Sequence, residues 1–411
     1  MPKRVPKIRF KKYTDEWKED MLSEFLEVSK EKNFLEEYDK TDVLSVSGEC
    51  GIVNQIEHKG RSFAGASVAN YGIVDTGDVV YTKSPLLNTP YGIIKTNKGK
   101  PGIVSTLYAV YKPKESVEPN FIECYFEQNA RINNYLKPLV NKGAKNDMKV
   151  TDENALKGIV VFPKKEEQRE IEIYVNSLEK LINKVQIQYE KTIIIKKILI
   201  QNLYTSEKNA LPAIRFKNYS GSWNIFNLKK FANKVKEKNK QKIYSETYTN
   251  SAEFGIISQQ EFFDHEITNK NNLDNYYVVK ENDFVYNPRI STIAPVGPIN
   301  RNKLGRSGIV SPLYTVFTTN DINNTFLEYF FKSNYWHNYM YKNGDSGARH
   351  DRFSIKDEIL MNMSIACPQE KEQIQIGDFL SKIDNLISLY KQKLEKLKQV
   401  KESFIQQMFV N

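Results

Sequence analysis

The side chains best suited to chemistry in this chain are cations and small polar groups on turn-bounded loops, and they come in matched places. Lys83 and Ser84 follow a strand-like Asp78-Val79-Val80-Tyr81 run; Arg289 and Ser291 follow its counterpart, Asp283-Phe284-Val285-Tyr286. Lys98 and Lys100 in the first half answer to Arg301, Lys303 and Arg306 in the second. Lys145 and Asn146 stand beside one Gly-Ala pair, Arg349 and His350 beside another. Basic and amide groups on loops bind phosphate oxygens or base edges. Any one of them reads equally well as a solvated surface residue.

No reacting constellation accompanies them. Gly99-Lys100 is followed by Pro101 and lacks the earlier glycine of a phosphate-cradling loop. An adenine methyltransferase needs an Asn/Asp-Pro-Pro-aromatic run, and Asn287-Pro288-Arg289-Ile290 lacks the second proline and the aromatic. Phe63-Ala64-Gly65-Ala66-Ser67 is a poor methyl-donor loop. A metal-dependent nuclease needs clustered carboxylates with a lysine, whereas Asp147-Met148-Lys149 stands alone. His58, His265, His337 and His350 fall at non-matching places, and Cys50, Cys124 and Cys367 form neither a CxxC nor a Cys/His cluster. We therefore expect no catalytic residue, no cofactor and no metal.

The matched places belong to a duplication. Residues 5–25 return at 211–231 with 9 of 21 positions identical, among them Arg9/Arg215, Trp17/Trp223 and Phe25/Phe231. GIVSTLYAVY at 102–111 returns as GIVSPLYTVF at 308–317, and EQREI at 167–171 as EQIQI at 372–376. Two copies of one unit predict a pseudo-two-fold molecule, suited to a ligand made of two spaced halves.

Each copy is β-rich for about 160 residues and then helical, which gives an α+β class. Strand-like clusters fall at 43–46, 73–74, 79–81, 91–94 and 103–111, then at 256–257, 276–279, 284–286 and 309–317. Helical stretches follow at 121–136 and 325–341. The aromatics Tyr335, Trp336, Tyr339 and Tyr341 read as a core-facing helix side rather than a base-stacking surface.

The long helices begin after Pro163 and Pro368, where proline is tolerated. Their stripes step by three and four: Val175, Leu178, Ile182, Val185, Tyr189, Thr192, Lys196, Leu199 and Leu203, then Leu380, Ile383, Ile387, Tyr390, Leu394, Leu397, Lys401, Phe404 and Met408. Lys196 and Lys401 recur within the stripe. Neither helix can bury such a seam alone. The two seams are expected to face each other, antiparallel by the two-fold relation, as rods of about 57 Å holding two β-rich domains at opposite ends. The boundaries read as 1–163, 164–205, 206–368 and 369–411, with the chain ends close together. Ile193, Ile194, Ile195 and Ile198 lie off the seam and match polar residues in the second helix; they dock either a partner protein or one of the chain's own domains.

The 411 residues suit two or three domains, and a net charge of +10 favours a polyanionic partner. No run reaches the roughly 18 consecutive apolar residues of a membrane span. No apolar stretch follows the basic N-terminus, so a cytoplasmic location is expected.

Gly347-Ala348-Arg349-His350-Asp351, Ile365-Ala366-Cys367-Pro368, Glu372-Gln373 and the heptad helix after them resemble the specificity subunit of a Type I restriction–modification system. The first copy shows the same series in Gly143-Ala144-Lys145, Phe162-Pro163 and Glu167-Gln168. The resemblance implies two target recognition domains, each reading one half of a bipartite double-stranded DNA target. It also implies a helical spacer, two adenine-N6 methyltransferase partners, and ATP-using restriction subunits. Three other readings stand beside it: an enzyme, a protein-only coiled-coil scaffold, and the DNA-recognition module of a different restriction or modification enzyme.

Overall fold

In the computed structural model, residues 4–142, 148–262, 270–346 and 351–410 are described. The chain forms two compact units, one of residues 1–186 with 392–411 and the other of 187–391. Both unit boundaries fall inside the long helices, Lys165–Leu203 and Glu370–Met408. A unit is therefore not a sequence copy: each takes the end of its helix pair from the other copy.

Most of the β-scaffold repeats between units, the exception among the described residues being the short pair Asn141–Lys142 with Met148–Lys149 in unit one. Unit one holds an antiparallel sheet in the order Leu26–Val28, Tyr108–Pro113, Val79–Thr82, Ile94–Thr96. Unit two repeats it as Ala232–Lys234, Thr315–Thr319, Phe284–Tyr286, Ile299–Arg301. Beside each lie a hairpin (Leu44–Ser47 with Gly51–Asn54; Tyr248–Ser251 with Gly255–Ser258) and a two-stranded pair (Gly72–Val74 with Gly102–Val104; Tyr277–Val279 with Gly308–Val310). A further pair joins the start of each copy to the residues before its long helix, Lys18–Met21 with Ile159–Phe162 and Asn224–Asn227 with Ser364–Cys367.

Three sequence expectations shift. The runs 103–111 and 309–317 are each two strands, because Ser105 and Ser311 close turns: their carbonyls accept the amides of Tyr108 and Tyr314, and their hydroxyls those of Leu107 and Leu313. The run 91–94 is not a strand until Ile94, because residues 91–93 close a loop described below. The helical stretches break in two, at Pro119–Phe126 and Asn129–Leu136, and at Asn324–Phe330 and His337–Asn343. In the first, Gln128 is extended and restarts the helix. Of the four aromatics in the second, Trp336 is buried, while Tyr335 and Tyr339 donate hydroxyls to the carbonyls of Gln201 and Ile359. Tyr341 stays exposed.

Each core is closed by a borrowed helix end. In unit one, Ile405, Met408 and Phe409 sit among Trp17, Phe121, Tyr125 and Phe162. In unit two, Ile200, Leu203 and Tyr204 sit among Trp223, Phe326 and Phe330. The backbone repeats this too: Ile8 N–H donates to the Gln407 carbonyl, and Ile214 N–H to that of Asn202. Phe409→Ala removes a ring meeting those of Trp17, Phe121 and Tyr125. It should cost about 3–5 kcal/mol, read as a shift in the urea midpoint; a loss below 1 kcal/mol would mean the helix end is not part of this core.

Within each unit the two helical segments run in opposite directions. In unit one, Tyr174 stacks on Phe404 with ring centroids 4.2 Å apart, and further along Glu179 accepts from Lys401 at 2.7 Å. In unit two, Lys196 pairs with Asp384, while Leu203 shares a cluster with Ile376 and Leu380. The seam positions Val175, Val185, Leu203, Leu380, Leu394 and Met408 are buried; Leu178, Ile182, Tyr189, Leu199, Ile383, Ile387, Tyr390, Leu397 and Phe404 are half-buried. The seam lysines thus carry specific ion pairs. Burial opposes the Lys401 ammonium, but Glu127 and Glu179 more than offset it, and its pKa is raised. Among the described residues, no helix is long and apolar enough to cross a membrane.

A repeated Arg–Glu clamp fixes the start of each copy to the first turn of a long helix. Arg9 donates Nε and Nη2 to the two oxygens of Glu167, both at 2.8 Å; Arg215 does the same to Glu372, both at 2.7 Å. The next residue completes the anchor. Gln168 accepts from Glu118 N–H and donates to the Pro163 carbonyl; Gln373 accepts from Asn323 N–H and donates to that of Pro368. The Glu-Gln pair seen in both copies of the sequence is this joint.

Candidate nucleic-acid interface

After each Asp-x-Val-Tyr strand the chain builds the same protrusion, once in each unit. Asp78 and Asp283 open the motif strand by accepting the amides of Asp75 and Lys280. The strand then ends, and the finger follows: residues 83–91 before Gly92 in unit one and 287–296 before Gly297 in unit two.

Three hydrogen bonds and a turning glycine fix each finger. The tyrosine hydroxyl ending the motif donates back to its far side: Tyr81 to the Tyr91 carbonyl at 2.7 Å, Tyr286 to that of Val296 at 3.0 Å. Burial pushes both hydroxyls above their ordinary pKa, so they remain donors at physiological pH. Leu86 and Thr89 exchange two backbone hydrogen bonds across the tip, each 3.2 Å; Ser291 and Ala294 do the same at 3.1 Å. Gly92 and Gly297 then turn the chain back with φ of +94° and +81°. A Cβ at either would lie 1.9 or 2.2 Å from the carbonyl oxygen of Thr82 or Asn287, so the position admits only glycine.

Tyr286→Phe would leave the Val296 and Phe353 carbonyls without this donor. The expected loss is about 1–2 kcal/mol, measured by chemical denaturation; an unchanged midpoint would mean the anchor contributes nothing.

The first candidates, Lys83, Ser84, Arg289 and Ser291, all lie on these fingers. Lys83 is held by Asp152 at 2.7 Å. Arg289 is exposed, and among the described residues no carboxylate pairs with it. Its backbone N–H donates to the Asn287 side-chain oxygen at 2.9 Å, which orients the finger base. The base also meets residues that follow the second Gly-Ala motif: Ile290 N–H donates to the Asp351 carbonyl, and Phe353 N–H to that of Pro288. This brings Arg352, exposed and absent from the sequence reading, alongside Arg289. Lys145, Asn146, Arg349 and His350 lie outside the described residues.

The remaining candidates sit at the other end of the strand pair. Val79 pairs with Thr96 and Tyr81 with Ile94, so a loop after Thr96 is a strand length away from the finger. Most of these cations are already engaged. Lys98 pairs with Glu123 at 3.1 Å, Arg301 and Lys303 with Glu328 at 2.8 and 3.1 Å, and Arg306 with Glu246 and Glu261 at 2.7 and 2.6 Å. Lys100 is exposed, and its carbonyl accepts from Asn97. A paired cation meets a phosphate only after losing its carboxylate. Arg289 and Lys100 are therefore the candidates best placed to bind an anion.

The sequence reading missed the tyrosine anchor, the turning glycine and the tip residues. One signal was present: tyrosine and glycine stand 11 residues apart in both copies, while the residues between them differ.

Residues 221–399 match the model of the Type I restriction modification DNA specificity domain. No curated protein matches the chain in sequence. Three solved structures share its fold. One is the HsdS subunit from Thermoanaerobacter tengcongensis, at 15% identity over 96% of this chain and 97% of that one, with a TM-score of 0.50. Another, the S subunit of a Type I restriction-modification system from M. genitalium, covers 99% of each chain at 9% identity and a TM-score of 0.54. A third comes from a study of complex assembly and conformational transition of the type I R-M system, at 15% identity, 96% and 97% coverage and a TM-score of 0.53. Identities this low carry the fold alone. Residues 221–399 thus belong to the Type I restriction–modification DNA specificity family, and the chain has the fold of specificity subunits over nearly its whole length.

Proposed function

We propose that the chain is the DNA-reading subunit of a Type I restriction–modification complex, with one target recognition domain per half-site. The domains are residues 1–163 and 206–368. The helices, 164–205 and 369–411, form an antiparallel coiled coil that separates them and sets the number of unread base pairs. The observation that carries this reading is the finger, built twice on one backbone plan with different outward residues. A scaffold kept constant while its outward side chains diverge suits recognition of two different sequences.

Chemistry belongs to partners in this reading. Two methyltransferase subunits and restriction subunits assemble on the chain, which supplies sequence choice and geometry. Ile194, Ile195 and Ile198 are each more than half exposed. With Ile193 they offer an apolar stripe on the first long helix for a methyltransferase to cover.

Arg289 is the basic contact most open to test. Arg289→Ala should weaken DNA binding by about 1–3 kcal/mol. At a base edge, the substitution relaxes preference at one position; at a phosphate, it lowers the salt slope by about one instead. Binding and salt dependence both unchanged would remove Arg289 from the interface. The whole reading is tested by co-purification: the chain should bring down a methyltransferase, bind specific DNA tightly in its company and transfer no methyl group alone. Methylation by the isolated chain would contradict it.

A further inference from the structure

We propose that the two-residue tip of each finger reads base edges by apolar contact: Leu87-Asn88 for one half-site and Thr292-Ile293 for the other. This deepens the DNA-reading function and rests on it. Leu87 is 98% exposed and Ile293 is 65% exposed. Both occupy the turn between the mutually bonded residues, Leu86 with Thr89 and Ser291 with Ala294.

A large apolar side chain at the summit of a braced turn gains nothing from its own fold. The loop is already ordered by the tyrosine anchor and the left-handed glycine, so little conformational entropy remains to be lost on binding. In unit one the tip is tied down once more, since Asn133 donates to the Asn88 carbonyl at 3.0 Å. The apolar group that distinguishes base pairs in the major groove is the thymine methyl. A rigid apolar tip beside Arg289, or beside Lys83 in unit one, fits a duplex edge carrying that methyl.

The repeat sharpens the assignment. At the shift of 205, Leu87 corresponds to Thr292 and Asn88 to Ile293. The apolar side chain therefore comes first in one tip and second in the other. The neighbouring leucines, Leu107 and Leu313, are identical and exposed in both units. Between the anchoring tyrosine and the turning glycine only Pro90 and Pro295 agree at this shift, so the whole finger diverges, tip included, while these flanking leucines are common.

The test selects duplexes from a randomised DNA pool with the full chain, alone and with its methyltransferase partner. Wild type, Leu87→Ala, Ile293→Ala and the tip exchange Leu87→Thr with Asn88→Ile are compared. Each alanine variant should lower affinity for the wild-type selected duplex about 5- to 20-fold, in the range of one lost apolar base contact. Each should relax one position of one half-site and leave the other half intact. Affinity for an unrelated duplex and the salt slope should stay within twofold, because no phosphate contact is lost. The exchange should change preference in the same half as Leu87→Ala. If the wild type enriches a sequence and the variants enrich the same one with equal affinity, the tip assignment is overturned while DNA reading stands. If the wild type enriches no sequence, both fall. Equal thermal midpoints for all variants verify that the exposed substitutions spare the fold.

Discussion

Glu372→Ala should lower the stability of the chain by about 3–5 kcal/mol, the cost of stranding a buried partner charge. The Glu372 side chain is 1% exposed and that of Arg215 only 16%. The guanidinium uses Nε and Nη2 on the carboxylate and Nη1 on the Gly221 carbonyl. Removing the carboxylate leaves a largely buried charge with no paired acid. A guanidinium is effectively always protonated, so escape by losing the proton is closed. An exposed pair serves as the control. Lys164 and Asp15 meet at 2.7 Å, but both side chains are mostly in solvent, and Asp15→Ala should leave the urea midpoint essentially unchanged. Urea denaturation of both variants decides the matter; equal losses would show that the clamp is no more than a surface pair. Glu167→Ala should repeat the larger effect in unit one.

Gly297→Val should abolish sequence choice in one half-site. The position combines a left-handed backbone with a Cβ 2.2 Å from the Asn287 carbonyl oxygen. Strain of this kind costs about 1–3 kcal/mol before the clash is counted. The cheapest relief is local, because the finger is a loop whose base is held by a few hydrogen bonds while the sheet beneath it is buried. The expected outcome is a folded chain with a displaced finger, a loss of specific DNA affinity of 100-fold or more by the order of several such contacts, and near-normal binding to unrelated duplexes. Gly221→Val is the matching control, since its φ is also positive but nothing lies within 4 Å of the added carbon. Specific binding retained by Gly297→Val would mean the finger is not an interface.

Much of this architecture was legible before any coordinates. The 205- to 206-residue shift found the duplication, and the three-four spacing found both long helices. The break of the helical stretch at Gln128 was not legible, because nothing in FIECYFEQNARINNYL forbids a continuous helix. The turns at Ser105 and Ser311 were hidden by flanking β-formers and depend on a serine hydroxyl capping an amide two residues on. Arg9, Arg215 and the Glu-Gln pairs were visible as repeats but not as a joint, since their partners lie more than 150 residues away. The cations were the least legible part. Lys98, Arg301, Lys303 and Arg306 look like ligand-binding groups in sequence, and the fold gives each a carboxylate. Which carboxylate meets which cation follows from tertiary geometry alone.

The most direct test of a two-part DNA reader is a map of methylated adenines in a genome whose Type I methyltransferase works with this chain. The expected result is one split motif, two short half-sites across a fixed unread spacer, with Ile293→Ala altering only one half. A continuous motif, or an identical map after the chain is deleted, would contradict it.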